Sequence, residues 1–132
     1  MRSDAGDCLT VRRWLPPLLW AGVMLLVTSV PGSAIPRPLI PYDKVAHFTA
    51  YALFAVLLSR DLAQLTGLWR AALFAIVIAA AFGAADEWHQ RFIPGRDTDL
   101  ADWRTDFIGA AGGALLFALY RRDRRARIAS PR

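Results

Sequence analysis

Several chemically useful side chains are scarce in this chain. Its 132 residues contain one cysteine, one lysine, one glutamate and two histidines. The single thiol, Cys8, excludes an internal disulfide. Because Cys8 precedes every hydrophobic run, it does not fit a lipidated cysteine that follows a signal sequence. The sequence also contains no pattern of an activated serine or cysteine nucleophile, so any reaction is expected to use water instead.

Apolar residues are abundant. They make up 55% of the chain, with a mean hydropathy of +0.31, whereas soluble chains contain about 45–50%. They form four blocks, at residues 14–30, 45–58, 71–85 and 107–120. A membrane-spanning helix needs about 20 residues, so the last three helices are predicted to extend into their polar flanks, over 43–60, 68–88 and 102–121. A soluble four-helix bundle is disfavoured, because the third and fourth blocks are apolar on every side.

The predicted fold is therefore all-α, an integral membrane bundle of four short transmembrane helices. We expect a cytoplasmic N-terminal segment (1–13), a four-helix transmembrane domain (14–120) and a basic cytoplasmic tail (121–132). With the N-terminus in the cytoplasm, the segments on that side carry 11 of the 16 basic residues. This asymmetry is the positive-inside bias. The positive net charge thus indicates membrane orientation and no nucleic-acid partner.

The first apolar block has a second interpretation. Arg12 and Arg13, the apolar run and then Gly32, Ser33 and Ala34 resemble a cleaved secretory signal. We favour a retained helix, because further membrane helices follow and retention gives an even number. The orientation of the remaining chain is the same in both cases, and both termini of the uncleaved chain are expected in the cytoplasm.

The rare ionisable residues are concentrated in two short segments. The only lysine, the only glutamate and both histidines lie in DKVAHFTAY (43–51) and DEWHQRFIPGR (86–96). Within the first segment, Asp43, His47 and Tyr51 recur every four residues and share one helix face. The predicted topology brings the start of helix two, the end of helix three and the start of helix four to the same membrane surface.

The start of the fourth helix supports this convergence. Asp102, Asp106, Gly109 and Gly113 follow spacings of four, three and four residues, which place them on one face. A glycine pair at this spacing favours close helix packing in membranes. The two carboxylates are therefore predicted to point into the bundle.

A converging polar set predicts a functional site, because ionisable groups near lipid are unfavourable unless paired or hydrated. The predicted catalytic residues are His47, Asp86, Glu87 and Asp102. The predicted substrate-binding residues are Lys44, Gln90 and Arg96. Arg96 could hold a phosphate, and His47 with an acidic partner could exchange protons. A divalent metal could activate water here, although its identity stays open. The structural alternative is a latch in which His47 bonds Asp86, Glu87 or Asp102.

Three motifs resemble the VanZ-like family, which is named for a teicoplanin-resistance protein. They are DKVAHFTAYALF, GAADEWHQRFIPGR and DLADWRTDFIGAAGG, and the resemblance covers roughly residues 40–120. The matching positions are Asp43, Lys44, His47, Asp86, Glu87, Gln90, Arg96, Asp102 and Gly109. Many relatives carry serine in place of Asp99 and asparagine in place of Asp106. Both differences add negative charge, which argues against a simple anion-binding site.

The resemblance implies a four-helix protein that works at the outer surface of a bacterial cytoplasmic membrane. The first functional hypothesis is binding or modification of an envelope lipid or glycolipid headgroup, such as that of a lipid-linked envelope precursor. A link to glycopeptide antibiotic tolerance follows from one branch of the family. The alternatives are a non-enzymatic membrane protein with a structural latch and a small ion- or proton-coupled carrier. The substrate, any cofactor and the oligomeric state stay open.

Overall fold

The fold consists of four α-helices. A computed structural model describes residues 4–36 and 42–130, with side chains described from residue 12 onward. The helices are α1 (Asp4–Thr28), α2 (Asp43–Thr66), α3 (Leu68–Gln90) and α4 (Leu100–Ala129), and a short 3-10 turn (Gly32–Ala34) follows α1. The described ranges contain no strand. The predicted all-α class with four helices is confirmed.

The helices are longer than the apolar blocks predicted. α1 begins at Asp4, α2 continues to Thr66, and α4 continues to Ala129 through most of the basic tail. The polar ends of α2 and α4 remain helical because arginine, alanine and leucine are good helix formers. In the tail, Arg127 Nε lies 2.8 Å from Asp123 Oδ2, an ion pair one turn apart that favours this conformation.

The α2–α3 connection is a single residue. Gly67 has φ +86° and ψ 165°, and it ends α2 and precedes α3. This backbone conformation is essentially restricted to glycine. The chain reverses direction there, so α2 and α3 form an antiparallel hairpin.

Small residues make up most of the buried core beside a few large ones such as Tyr51, Phe54 and Leu58, and many large apolar residues face outward. The fully buried residues of α3 and α4 include Ala71, Ala75, Ala79, Ala110, Ala114 and Ala118. The exposed residues include Leu53, Phe74, Val77, Ile108, Leu116 and Leu119. Helices in membranes associate through small residues that let their backbones approach closely, while large apolar side chains contact lipid. This distribution agrees with the predicted membrane bundle.

The glycine pair of α4 lies against α2. A Cβ atom on Gly109 would overlap the carbonyl of Phe48 and lie 3.0 Å from its Cα atom. A Cβ atom on Gly113 would lie 2.9 Å from the Cα atom of Ala52 and overlap its carbonyl. The predicted close packing at both glycines is confirmed, and the neighbouring helix is α2.

Helix α1 packs beside this core, against α2 and α3. The indole Nε1 of Trp20 donates a hydrogen bond to the Ala50 carbonyl at 3.0 Å. Pro17 is inside α1 and has no N–H to donate to the carbonyl of Arg13. Arg60 Nη2 of α2 donates to that carbonyl instead, at 3.4 Å. Helix α1 is thus attached to α2 at Trp20, near its middle, and at Arg13, about two turns earlier.

Two helices, α2 and α3, are long and apolar enough to cross a membrane by length and composition. Their apolar character agrees with the predicted bundle. Membrane crossing by α1 and α4 stays a prediction.

Candidate functional site

One end of the bundle brings the two polar segments together. The end of α1, the start of α2, the end of α3 and the start of α4 meet there, because the helices run alternately up and down. The loop after α1 also packs on the α3–α4 loop: Gly32 N–H donates to the Pro94 carbonyl at 3.0 Å. A Cβ on Gly32 would overlap the carbonyl of Gly95, whose φ is +72°. The predicted convergence is present in the structure.

His47 pairs with Asp106. Its Nδ1 lies 2.8 Å from Oδ1 of Asp106, whose side chain is 1% exposed. On the other side of the ring, Nε2 lies 3.9 Å from Oδ1 of Asp43. The pairing follows from the close α2–α4 packing at Gly109, which brings Asp106, less than one turn away, beside His47.

This partner differs from the ones considered for a latch. The residues predicted to bond His47 in a latch were Asp86, Glu87 and Asp102. That part of the latch prediction is wrong, because Asp106 occupies the position next to Nδ1. The spacing of Asp106 from Gly109 was the signal that could have identified it.

Asp86 belongs to a second buried group. Its side chain is 2% exposed. Thr28 Oγ1 donates to Asp86 Oδ1 at 2.7 Å, and Gln90 Nε2 donates to Asp86 Oδ2 at 3.4 Å. Asp86 and Gln90 are thus close together. Thr28, which was not predicted to belong to the site, binds the same Asp86 carboxylate. Thr28 lies near the end of the first apolar block (14–30), where it and Ser29 carry the polar hydroxyls.

Lys44 connects α2 to the start of α4. Its ammonium binds the carboxylate of Asp102, and it lies 3.4 Å from Oδ2 of Asp99. Asp99 caps α4 by accepting the Ala101 N–H at 2.8 Å. The Ala101 N–H and the Lys44 ammonium lower the pKa of Asp99, so this carboxylate is ionised at neutral pH. The charge of Lys44 is therefore already compensated by acidic residues.

Glu87 lies beside these groups and is half-buried. Its Oε2 accepts the backbone N–H of Asp99 at 3.2 Å. Two sets of side chains offer ligand atoms that all lie within 4.8 Å of one another. These sets are His47 with Glu87 and Asp106, and His47 with Asp43 and Asp102. Either set has the chemistry to hold a divalent metal.

Arg96 is directed toward the end of α1. Its Nε donates to the Val30 carbonyl at 3.1 Å, and its Nη2 donates to the Val27 carbonyl at 3.4 Å. A guanidinium has five N–H donors, so these bonds leave donors available on the same group. Arg96 therefore binds the free carbonyls at the end of α1 and also lines the cavity beside His47.

That cavity has a volume of about 240 Å³ and lies between α1 and α2. Its deeper wall is apolar and includes Trp20, Val23, Met24 and Ala50. Its outer end is polar and includes Thr28, Asp43, His47, Asp86 and Arg96. Tyr51 also lines this cavity. Its hydroxyl is buried and has no hydrogen-bond partner among the described residues.

The second histidine, His89, is not part of either metal-compatible set. Its Nδ1 is buried and has no hydrogen-bond partner among the described residues. The site therefore combines one imidazole with several carboxylates, which can accept protons, donate them or coordinate a cation.

The fold and the site define a small helical membrane protein with a polar cluster at one end of its bundle. The sequence profile of the VanZ/LLP1 family matches residues 12–121. The chain belongs to this family, as its motifs indicated. Comparisons with curated proteins and with solved structures gave no match.

Proposed function

We propose that the protein binds or modifies the headgroup of an envelope lipid or glycolipid at the outer surface of a bacterial cytoplasmic membrane. The observation that carries this proposal is the cavity between α1 and α2, which is apolar at depth and polar at its outer end. A lipid has the same division. Its acyl chain matches the wall at Trp20 and Met24, and its headgroup matches the end at His47 and Arg96.

The cavity size limits what enters. At about 240 Å³ it is smaller than the roughly 300–1,000 Å³ typical of sites for drug-sized ligands. It accepts a headgroup and the adjoining part of a chain, while the rest of the lipid stays in the bilayer. A lipid-linked envelope precursor is a ligand of this kind.

The polar residues then take distinct roles. His47, held by Asp106, exchanges a proton with water or with a reacting headgroup oxygen. The N–H groups of Arg96 that do not bind α1 carbonyls hold an anionic oxygen. Lys44 positions the carboxylate of Asp102, and Gln90 positions that of Asp86. Glu87 lies close enough to His47 to take part in the same proton exchange.

One observation favours a second candidate, a structural latch. Many polar groups of the cluster already bind one another, including His47 with Asp106, Thr28 with Asp86, and Lys44 with Asp102. These bonds join α2 to α4 and α1 to α3, as structural contacts would. In that case the cluster stabilises the bundle and reacts with nothing.

Lipid analysis separates the two candidates. Total lipids and lipids that co-purify with the protein are compared by mass spectrometry in cells with the parent chain, His47→Gln, Glu87→Gln or an empty vector. Glutamine retains hydrogen bonding but cannot exchange protons near neutral pH. His89→Gln is the matched control, since it alters the other histidine. The teicoplanin concentration that inhibits the same strains tests the link to antibiotic tolerance.

The proposal is supported if the parent and His89→Gln both change the amount of a lipid or co-purify with it. The same effect must be absent in His47→Gln and in Glu87→Gln at equal protein level. If the parent neither changes nor enriches any lipid, the proposal is wrong. Full retention of the lipid effect by both His47→Gln and Glu87→Gln contradicts the assigned roles and favours the latch.

A further inference from the structure

We propose that His47, Glu87 and Asp106 bind one divalent cation. Each residue offers one ligand atom, and these atoms all lie within 4.8 Å of one another. Donor atoms that share an octahedral metal at about 2.1 Å are about 3 Å apart, and His47 Nδ1 already lies 2.8 Å from Asp106 Oδ1. The cation takes the place of the proton between these two atoms, and that proton is released to the solvent.

The charge of the cluster favours a cation. Five carboxylates at this end of the bundle are buried or half-buried, namely Asp43, Asp86, Glu87, Asp102 and Asp106, whereas Arg96 is the one half-buried arginine or lysine there among the described residues. The neighbouring Arg91 and Arg104 are exposed, where solvent screens their charge. Buried carboxylates are normally paired or bound to metal. Asp106, at 1% exposure, has only the imidazole of His47 as its partner among the described side chains.

The choice between the two candidate sets follows from Lys44. In the set of His47, Asp43 and Asp102, the carboxylate of Asp102 already binds the Lys44 ammonium. That positive charge would repel a second cation. Glu87 instead accepts only a neutral backbone N–H, from Asp99, so its charge is available for a metal.

Tyr51 provides an independent observation. Its side chain is 2% exposed, and its hydroxyl has no hydrogen-bond partner among the described residues. It lies one turn below His47 on α2, and its Cε1 atom and Asp106 Oδ2 each lie 3.3 Å from the position of a Cβ on Gly83, which places the Tyr51 ring beside the proposed site. Buried hydroxyls normally have a partner. Water bound to a cation at His47 would supply one, because three protein ligands leave coordination positions open.

One imidazole with two carboxylates suits Mn²⁺ or Zn²⁺. The cation site stands on the geometry alone. Its consequence rests on the proposed function: a bound dication would attract a phosphate-bearing headgroup to an end of the bundle that is otherwise rich in negative charge.

The test uses the full-length protein, purified in detergent and stripped with a chelator. Mn²⁺ binding is followed through the spin-resonance signal of free Mn²⁺, and Zn²⁺ binding through competition with Mn²⁺. We expect one saturable site per chain. The dissociation constant should rise at least tenfold in Asp106→Asn and in Glu87→Gln. Glu87 is only half-buried, so Glu87→Gln remains informative if Asp106→Asn folds poorly.

Asp61→Asn is the control: it alters a buried carboxylate far along α2 and should retain the parent affinity. Asp102→Asn tests the other set and should raise the dissociation constant less than Glu87→Gln does. The inference is overturned if the parent has no saturable site, or if both Glu87→Gln and Asp106→Asn keep the parent affinity. Loss of the site in Asp102→Asn but not in Glu87→Gln also overturns it. Because metal binding is measured without lipid, its failure is distinct from failure of the proposed lipid function.

Discussion

Gly113 of α4 lies directly against the backbone of Ala52 in α2. A Cβ atom at position 113 would be 2.9 Å from the Cα of Ala52 and would overlap its carbonyl oxygen. Backbone atoms cannot move aside as a flexible side chain can. The contact therefore requires glycine and sets the distance between the two helices that carry His47 and Asp106.

The first prediction concerns this contact. Gly113→Ala should lower the free energy of unfolding in detergent by about 2 kcal/mol, because overpacking forces the helices apart. Gly112→Ala is the control, since a Cβ there meets only Phe48 Cζ at an ordinary 3.9 Å. The control should be neutral or stabilised by about 1 kcal/mol, from the higher helix propensity of alanine. Equal stability of Gly113→Ala and the parent would contradict the close packing.

The second prediction concerns the opposite end of α2. Arg60 binds the carboxylate of Asp61 through Nε at 2.8 Å and Nη2 at 3.1 Å, and also the Arg13 carbonyl that Pro17 leaves free. Asp61 is 2% exposed. Arg60→Ala should reduce stability by about 2 kcal/mol, because it leaves the buried carboxylate of Asp61 unpaired. Thermal unfolding in detergent measures the loss.

Two comparisons isolate this effect. Arg70→Ala removes an exposed arginine and should change stability by less than about 0.5 kcal/mol. On an Asp61→Ala background, Arg60→Ala should cost less than it does in the parent, because the carboxylate is absent. An equal cost on both backgrounds would show that the pair does not interact.

The third prediction concerns the hairpin between α2 and α3. Gly67→Ala should destabilise the protein by about 1–3 kcal/mol, since alanine must adopt the φ of +86° and ψ of 165° seen at this residue. Gly22→Ala in α1 is the matched control, because a Cβ there has nothing within 4 Å. Chemical unfolding of the two variants should separate them clearly. If they are equally stable, the backbone at Gly67 is not strained for alanine.

The fourth prediction concerns topology. Four helices and the arginine asymmetry predict that both termini lie in the cytoplasm. A cytoplasm-dependent reporter fused after Arg132 should be active, and a periplasm-dependent enzyme fused there should be inactive. The same enzyme fused after Asp97, in the α3–α4 loop, should be active. The reverse pattern would invert the assigned orientation and move the site to the cytoplasmic side.

Part of the site could be predicted from local patterns. The spacing of Asp43, His47 and Tyr51 placed them on one face, and that of Gly109 and Gly113 predicted close packing, because a helix repeats every 3.6 residues. Partners on different helices could not be assigned in this way. Thr28 pairs with Asp86 across 58 positions of the chain, and nothing local to either residue specifies the other.

The sequence by itself determined the number of helices, the apolar blocks and the end of the bundle at which polar residues collect, since each depends on periodicity and hydropathy along the chain. Only the tertiary structure decided that His47 pairs with Asp106, that Lys44 neutralises Asp102, and that Arg96 binds the end of α1. These pairings depend on how far helices slide and rotate against one another. That arrangement is set by many small contacts, such as Gly109 on Phe48, acting together across the whole bundle.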